Sequence, residues 1–395
     1  MGKAGRIAIW LGGVALAGVS TVVAASSALA DRNPLPVLNL WPANGWAQAS
    51  ASDKLLRLQM VENEGKFPED LPADIRRLAE AGYEREPLAY EAIRNLAIAA
   101  WLDGDETLSR KLFTGLDELT RRDSLGQFWQ LEDDLRRQDI DGALARYDLI
   151  LRTSSSARDR IIPQMVGLMT DARLVPPLAE LLRERPLWEE WFWRAASRQP
   201  QVATNTARLR EAIGAPDDEL LGQYDPRLME NLLAMGDYTG AARLGEFFGA
   251  DADAGSGGNL LGSTDERSAF RWQMPERGDV VSEFDGENGQ LFLSALSGAN
   301  GIVARRLVAL RPGRYRLSLE SEGTGEDALS VNLGCAAEGA GSSRRTRIGQ
   351  SLASGAGPFP VPASGCAFQW VELLVRDTGD SGFDETIETL AISPA

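Results

Sequence analysis

Apolar residues recur at three- and four-residue spacing through the first two-thirds of the chain. Leu55, Leu56, Leu58 and Met60 open the pattern, and Leu88, Ile93, Leu96, Ala97, Ala100 and Trp101 continue it, which lays apolar side chains along one stripe of a helix. The pattern predicts consecutive amphipathic helices from about Asp53 to Phe248. Polar breaks interrupt it at Asp103-Gly104-Asp105, Arg137-Gln138-Asp139, Asp171-Ala172 and Gly236-Asp237, and the first three are centred at 104, 138 and 172, a spacing of 34 residues. A fixed period of that length marks stacked helical hairpins, each drying its apolar face against the next. Counting back 34 from Gly104 reaches Asp70, where Pro68, Pro72 and a short helix over 73–82 make an earlier unit. Forward of Ala172 the register loosens. The spacing predicts five or six irregular units between about Asn44 and Gly249, with a non-repeating helical bundle as the alternative.

The period then changes. Residues 251–258 contain only Asp, Ala, Gly and Ser, and residues 250–267 are read as a linker. Beyond it, short alternating segments predict strands over 270–274, 280–284, 290–296, 302–310, 314–321, 328–334, 344–348, 368–376 and 386–392. Strands at this density predict an antiparallel β-sandwich, most simply a jelly roll. Pro312-Gly313 makes a tight turn, after which Tyr315, Leu317 and Leu319 point inward against Arg314, Arg316 and Ser318 outward.

The N-terminus has an address of its own. Lys3 and Arg6 precede an uncharged run from Ile7 to Ala30, long enough to span a bilayer and ending in Ala28-Leu29-Ala30, a signal-peptidase type of site. Residues 1–30 are therefore read either as a membrane anchor helix or as a cleaved signal peptide, against the plainer alternative of a buried core helix. Both targeting readings place everything from Asp31 onward across the membrane, anchored on the periplasmic side of a bacterial inner membrane or released into the periplasm. The domain reading is thus 1–30 signal or anchor, 31–249 helical repeats, 250–267 linker and 268–395 sandwich.

Two cysteines, Cys335 and Cys366, fall in the last of these. In an oxidising compartment an even count predicts a disulfide, with two separate buried thiols as the alternative. Closing a separation of 31 residues (366 − 335) would stabilise the fold by roughly 3–4 kcal/mol in the chain-entropy account.

Composition narrows the chemistry. Asp and Glu number 57 against 41 Lys and Arg, a net charge of −16 that repels nucleic-acid phosphates, so no nucleic-acid partner is expected. The chain has no histidine, which removes Ser-His-Asp, Cys-His and His-metal schemes, and two sulfurs alone fall short of a zinc site. No catalytic residue, cofactor or metal is assigned. The acidic pairs Asp133-Asp134, Glu189-Glu190 and Asp217-Asp218 are neighbours that do not face one another on a helix and are read as solvated faces. Trp188, Trp191, Phe192 and Trp193 are read as core ahead of a ligand platform, and Asp377–Asp384 as a solvated turn ahead of a calcium loop. Trp272 and Trp370, with Tyr315 behind them, are the sugar-stacking candidates, and a place in the core competes for each tryptophan.

Two resemblances rest on these residues. The helical part resembles the tetratricopeptide family: Ala143 and Ala241 match its small residue in the second helix, Tyr147 and more loosely Phe113 match its aromatic, and its closing proline has no counterpart. Residues 268–394, with the hairpin Leu307–Leu317 and the strand Phe368-Gln369-Trp370-Val371-Glu372-Leu373, look like carbohydrate-binding-module-like sandwiches. The combination is similar to alphaproteobacterial proteins that join degenerate tetratricopeptide-like helices to a sandwich and belong with envelope and exopolysaccharide loci. That resemblance implies a non-enzymatic envelope scaffold, its helices binding a protein partner of polysaccharide assembly or export and its sandwich binding glycan or protein. The alternatives are a polysaccharide-acting enzyme using two carboxylates in one cleft, and an inert structural envelope protein.

Overall fold

The computed structural model describes residues 20–26, 28–63, 68–250, 257–262, 265–286, 288–323, 328–339, 345–348, 358–376 and 382–395. Most of the proposed anchor, the linker core at 251–256 and the acidic turn at 377–381 lie outside these residues. Among the described residues no helix is long and apolar enough to cross a membrane. The chain divides into two compact units, residues 1–155 and 156–395.

In the first unit α1 (Pro34–Leu40) and α2 (Gly45–Glu62) lead into α3 (Ala73–Arg85), α4 (Tyr90–Leu102), α5 (Glu106–Leu119), α6 (Ser124–Arg136) and α7 (Ile140–Thr153). Helices α4 and α6 begin at 90 and 124, and α5 and α7 at 106 and 140, so both helices of the hairpin advance by the spacing read from the breaks. Each break is a helix start. Asp105, Asp139 and, in the second unit, Asp237 are N-caps whose carboxylates accept from the backbone N–H groups of Leu108, Gly142 and Gly240 at 3.0, 3.0 and 2.9 Å. Asp171 does the same for Arg173 at 2.9 Å. The residue before the first cap, Gly104, has φ +82°, a left-handed conformation that glycine adopts without strain. Replacing Asp139 with alanine is expected to cost about 1 kcal/mol in denaturant unfolding, whereas Asp139→Asn, which still caps, should cost far less.

The core of this unit gathers Leu56, Ile75, Ile93, Ile98, Phe113, Leu116 and Trp129. Phe113 stacks on Trp129 at 4.7 Å, and Trp101 meets the same indole edge-on at 5.0 Å. A Cβ added to Gly82 of α3 would sit 3.0 Å from the backbone nitrogen of Ala49, so this glycine lets α3 lie against α2. One charge is sealed inside. Arg94, 0% exposed, is ion-paired with Asp53 of α2 and, at 2.6 Å, with Asp123. The other oxygen of Asp123 caps α6 through Gly126 N at 3.0 Å.

The second unit begins with α8 (Arg158–Leu168), α9 (Val175–Arg183), α10 (Glu189–Ala196), α11 (Ala203–Ile213), α12 (Glu219–Gly222), α13 (Asp225–Met235) and α14 (Tyr238–Phe247). Arg210 is sealed here as Arg94 is there, with Nε 3.0 Å from Asp225 Oδ1 and Nη1 2.8 Å from Gly214 O. Burial pushes the Asp225 carboxyl up, against the pull of Arg210.

Strands follow: β1 (Gly258–Asn259), β2 (Trp272–Gln273), β3 (Val280–Asp285), β4 (Gln290–Ala295), β5 (Gly301–Val308), β6 (Gly313–Gly323), β7 (Leu329–Ala336), β8 (Arg345–Arg347), β9 (Phe359–Val361), β10 (Phe368–Val375) and β11 (Phe383–Pro394). They form two sheets, ordered β3-β4-β11-β6-β9, with β1 also on β11, and β2-β5-β10-β7-β8, and every pairing is antiparallel. Each predicted strand is present. The two that the pattern did not predict are β1, only 2 residues long, and β9, whose Pro360 has no N–H and is tolerated because β9 closes its sheet as an edge. Leu291, Leu293, Val331, Leu333, Val371, Leu373, Ile387 and Leu390 fill the space between the sheets. Cys335 and Cys366 form the expected disulfide.

Packing does not follow the change from helix to strand. Ala203 and Ala207 of α11, Leu228, Met229 and Leu232 of α13 and Tyr238, Ala241 and Leu244 of α14 share one apolar cluster with Ala269, Phe270, Leu307, Ala336 and Trp370. These helices therefore cover part of the outer face of the second sheet.

Candidate functional site

Alternation along the strands decides which side chains reach that outer face. On β10 Val371, Leu373 and Val375 enter the core, so Trp370 and Glu372 point outward; on β7 Val331 and Leu333 point in and Asn332 out. On β2 Trp272 points in and Gln273 out, and on β5 Arg305 and Leu307 point out. The register joins these residues into one line. Gln273 is the Cα partner of Arg305, Arg305 of Glu372, and Glu372 of Asn332. A polar row thus crosses four strands, about 14 Å at the usual strand spacing. It lies one step along the strands from Leu307 and Trp370, which the helices cover.

The row is rich in unequal partners. Arg305 Nε donates to Gln273 Oε1 at 2.8 Å, and the guanidinium carbon lies 4.7 Å from the centre of the Trp370 ring. Burial holds the Arg305 guanidinium below the usual arginine range. Glu372 is 7% exposed, and the Oδ1 of half-buried Asn332 is shut off from water with no hydrogen-bond donor.

The tryptophans that sequence offers as sugar platforms are placed otherwise. Trp272 is 6% exposed, donates to Leu260 O at 2.9 Å and packs between the sheets. Trp370 is 0% exposed: Tyr238 meets it edge-on at 5.9 Å and Arg305 covers its face. Burial takes both rings out of reach of a pyranose. Tyr315 is half-buried, stacked on Phe359 at 6.1 Å, and its hydroxyl donates to Arg311 O across the Pro-Gly turn at 2.9 Å, so it ties the hairpin. In the helical part Trp188, Phe192 and Trp193 are core residues as expected, while Trp191 is half-buried under Arg158 at 4.1 Å.

The acidic pairs need a correction. Asp133, Asp134 and Glu189 are buried, not solvated, and the arginines that pair with them lie over them at the surface. Asp133 pairs with Arg110, Arg136 and Arg137, and Asp134 with Arg137 at 2.6 Å; burial nonetheless pushes the Asp134 carboxyl up. Glu189 and Asp218 both hold Arg185 beside an open cleft of about 440 Å³ lined also by Leu187, Glu190 and Glu219. The oxygens of Glu189, Glu190 and Asp218 are taken up by Arg185, Arg194, the Trp193 indole N–H and the Leu221 backbone N–H. An acid and base pair would need a free proton donor facing a free acceptor, and Glu189, Glu190 and Asp218 are each held by the partners just named.

Gln273, Arg305, Glu372 and Asn332 were not singled out by sequence. The signal available was a lone polar residue inside an apolar strand, as in Val371-Glu372-Leu373 and Val331-Asn332-Leu333.

No protein-family model and no curated protein matches the sequence. Among solved structures, the accessory secretory protein 1, 2 and 3 structure from Streptococcus pneumoniae is similar at 11% identity and a TM-score of 0.24, over 31% of this chain and 99% of that one. The glycosylation-associated Gap123 complex from Streptococcus agalactiae is similar at 14% identity and a TM-score of 0.25, over 32% of this chain and 44% of that one. Likeness at this level carries no argument about fold or function.

Proposed function

We propose that this chain is a non-enzymatic cell-envelope scaffold whose helices dock a protein partner of polysaccharide assembly or export and whose sandwich binds glycan. The half-buried Gln273 and Arg305, cross-strand neighbours on a sheet face, carry the glycan half of this reading: an amide and a guanidinium side by side suit the hydroxyls of a sugar. The strand orders β4-β11-β6-β9 and β5-β10-β7-β8 support a jelly roll. Helix starts at 90, 124 and 158 support a tetratricopeptide-like array, a scaffold that offers extended surfaces to proteins. Export to the periplasmic side, anchored or released, is supported by the apolar run at 7–30 and by a disulfide, which persists in oxidising compartments.

The test is a panel of immobilised envelope polysaccharides probed with the intact chain and with Gln273→Ala, beside cross-linked purification of the tagged protein from membranes. Retention of at least one polysaccharide, weakened by Gln273→Ala, together with recovery of assembly or export proteins is the expected result. Retention on none sinks the glycan half, and an empty cross-link sinks the scaffold half.

A further inference from the structure

Residues 33–52 carry no charge, although the chain is 25% charged and a stretch of that length would ordinarily hold about five charged side chains. The stretch is folded: it forms α1, the turn over 41–44 and the first half of α2. Pro34 and Val37 turn inward, Val37 against Ala30 and Ala47, which leaves Leu35, Pro36, Asn39 and Leu40 on the outer arc of α1. Leu35 is 61% and Leu40 78% exposed, and Trp46, in the first turn of α2, is exposed as well. Other exposed apolar side chains of this unit, Leu58, Val61, Leu108 and Leu119, each stand within two residues of a charge, as scattered leucines on a solvated face do. The outer arc of α1 has no such interruption, and uninterrupted apolar surface of this kind marks a contact.

The place of this arc in the chain says what covers it. The uncharged run 7–30 ends at Ala30, just before α1, and its described part presents Val22, Val23 and Leu29 outward. The junction is fixed to the fold: Ala30 is buried against Val37 and Ala47, Ser50 Oγ donates to Asp31 O at 3.1 Å, and Lys54 Nζ donates to Arg32 O at 2.5 Å. Asn33 N donates to Leu29 O at 2.8 Å, so the chain is still coiled as it leaves the run. At about 1.5 Å per coiled residue the path from Ala30 to Leu35 is about 8 Å, close to the roughly 5–8 Å depth of a headgroup layer. A net charge of −16 opposes approach to anionic lipid, and the uncharged stretch is where close approach costs least. Leucine and tryptophan are the side chains that interfacial helices sink into that layer. We infer that α1 lies in the headgroup layer with Leu35 and Leu40 turned toward the acyl chains, so that the first unit is seated on the membrane surface rather than swinging from a tether. This inference rests on the anchored form of the export reading and adds a second membrane contact to it.

The test uses the intact chain reconstituted in vesicles of phosphatidylethanolamine and phosphatidylglycerol. Cys335 and Cys366 are the only cysteines and are bonded to each other, so Leu16→Cys, Leu35→Cys, Leu40→Cys and Leu119→Cys each supply a single thiol for a spin label. Collisions of the label with oxygen, which concentrates in lipid, are compared with its collisions with a water-soluble nickel chelate. The oxygen-to-chelate ratio at Leu35 and Leu40 is expected to exceed that at Leu119 by roughly fivefold or more, with Leu16 higher still. Sparse loading keeps copies of the chain apart, and a ratio that rises at Leu35 and Leu40 only at dense loading assigns the arc to a second copy and overturns the inference. Labels at Leu35 and Leu40 as open to the chelate as the one at Leu119, with Leu16 shielded, overturn it while the anchor stands. Chelate access at Leu16, Leu35 and Leu40 alike overturns both.

Discussion

Trp370→Ala is expected to lower the stability of residues 156–395 by about 3–5 kcal/mol, read from chemical denaturation. The ring is fully buried, with Tyr238 on its edge, Phe368 nearby and Arg305 on its face, so its removal leaves a cavity that those groups have no means to close. A fragment starting at Ala250 makes the same point at larger scale. It would uncover Ala269, Phe270, Leu307, Ala336 and Trp370 together, and is expected to bind a hydrophobic dye and melt without cooperativity, while residues 156–395 melt in one transition. If Trp370→Ala costs less than about 1 kcal/mol, or the short fragment folds cooperatively, the helices are not part of the sandwich core.

Arg94→Met should be comparably severe, about 3–5 kcal/mol, for the opposite physical reason. It creates little cavity, but it leaves Asp123, 4% exposed, without its counter-ion and takes the buried partner from Asp53, which keeps only the exposed Arg57 at 2.9 Å. The informative control is the triple variant Asp53→Asn, Arg94→Met, Asp123→Asn. Neutral side chains remove the stranded charge, and the asparagine amide oxygen at position 123 would still cap α6. The triple variant should be more stable than Arg94→Met alone by about 1–3 kcal/mol. A single variant as stable as the triple would mean that the ion triad is inert.

The parts of this architecture written in short-range pattern were legible. The 34-residue breaks located helix starts because an aspartate cap must fall next to a helix's first turn, and Asp105, Asp139, Asp171 and Asp237 do so. Strand alternation located the sheet segments, and cysteine count gave the disulfide. What sequence missed depends on long-range pairing. Trp272 and Trp370 read as possible platforms because alternation fixes a face but not what covers it, and for Trp370 the cover is Tyr238, far along the chain. Asp133, Asp134 and Glu189 read as surface because the packing that buries them, and the exposed arginines that lie over them, come partly from other helices or loops. The polar row was invisible for the same reason: Gln273, Arg305, Asn332 and Glu372 are adjacent only through register.

The apolar cluster that joins α11, α13 and α14 to the second sheet also limits how such a gene can be reshuffled. The Gly- and Ser-rich stretch after Ala250 looks like a natural crossover point, yet a recombination there would hand the recipient a sheet stripped of its lid. A transferable cassette has to begin upstream of Ala203, so descendants carrying this sandwich should carry its last helices with it.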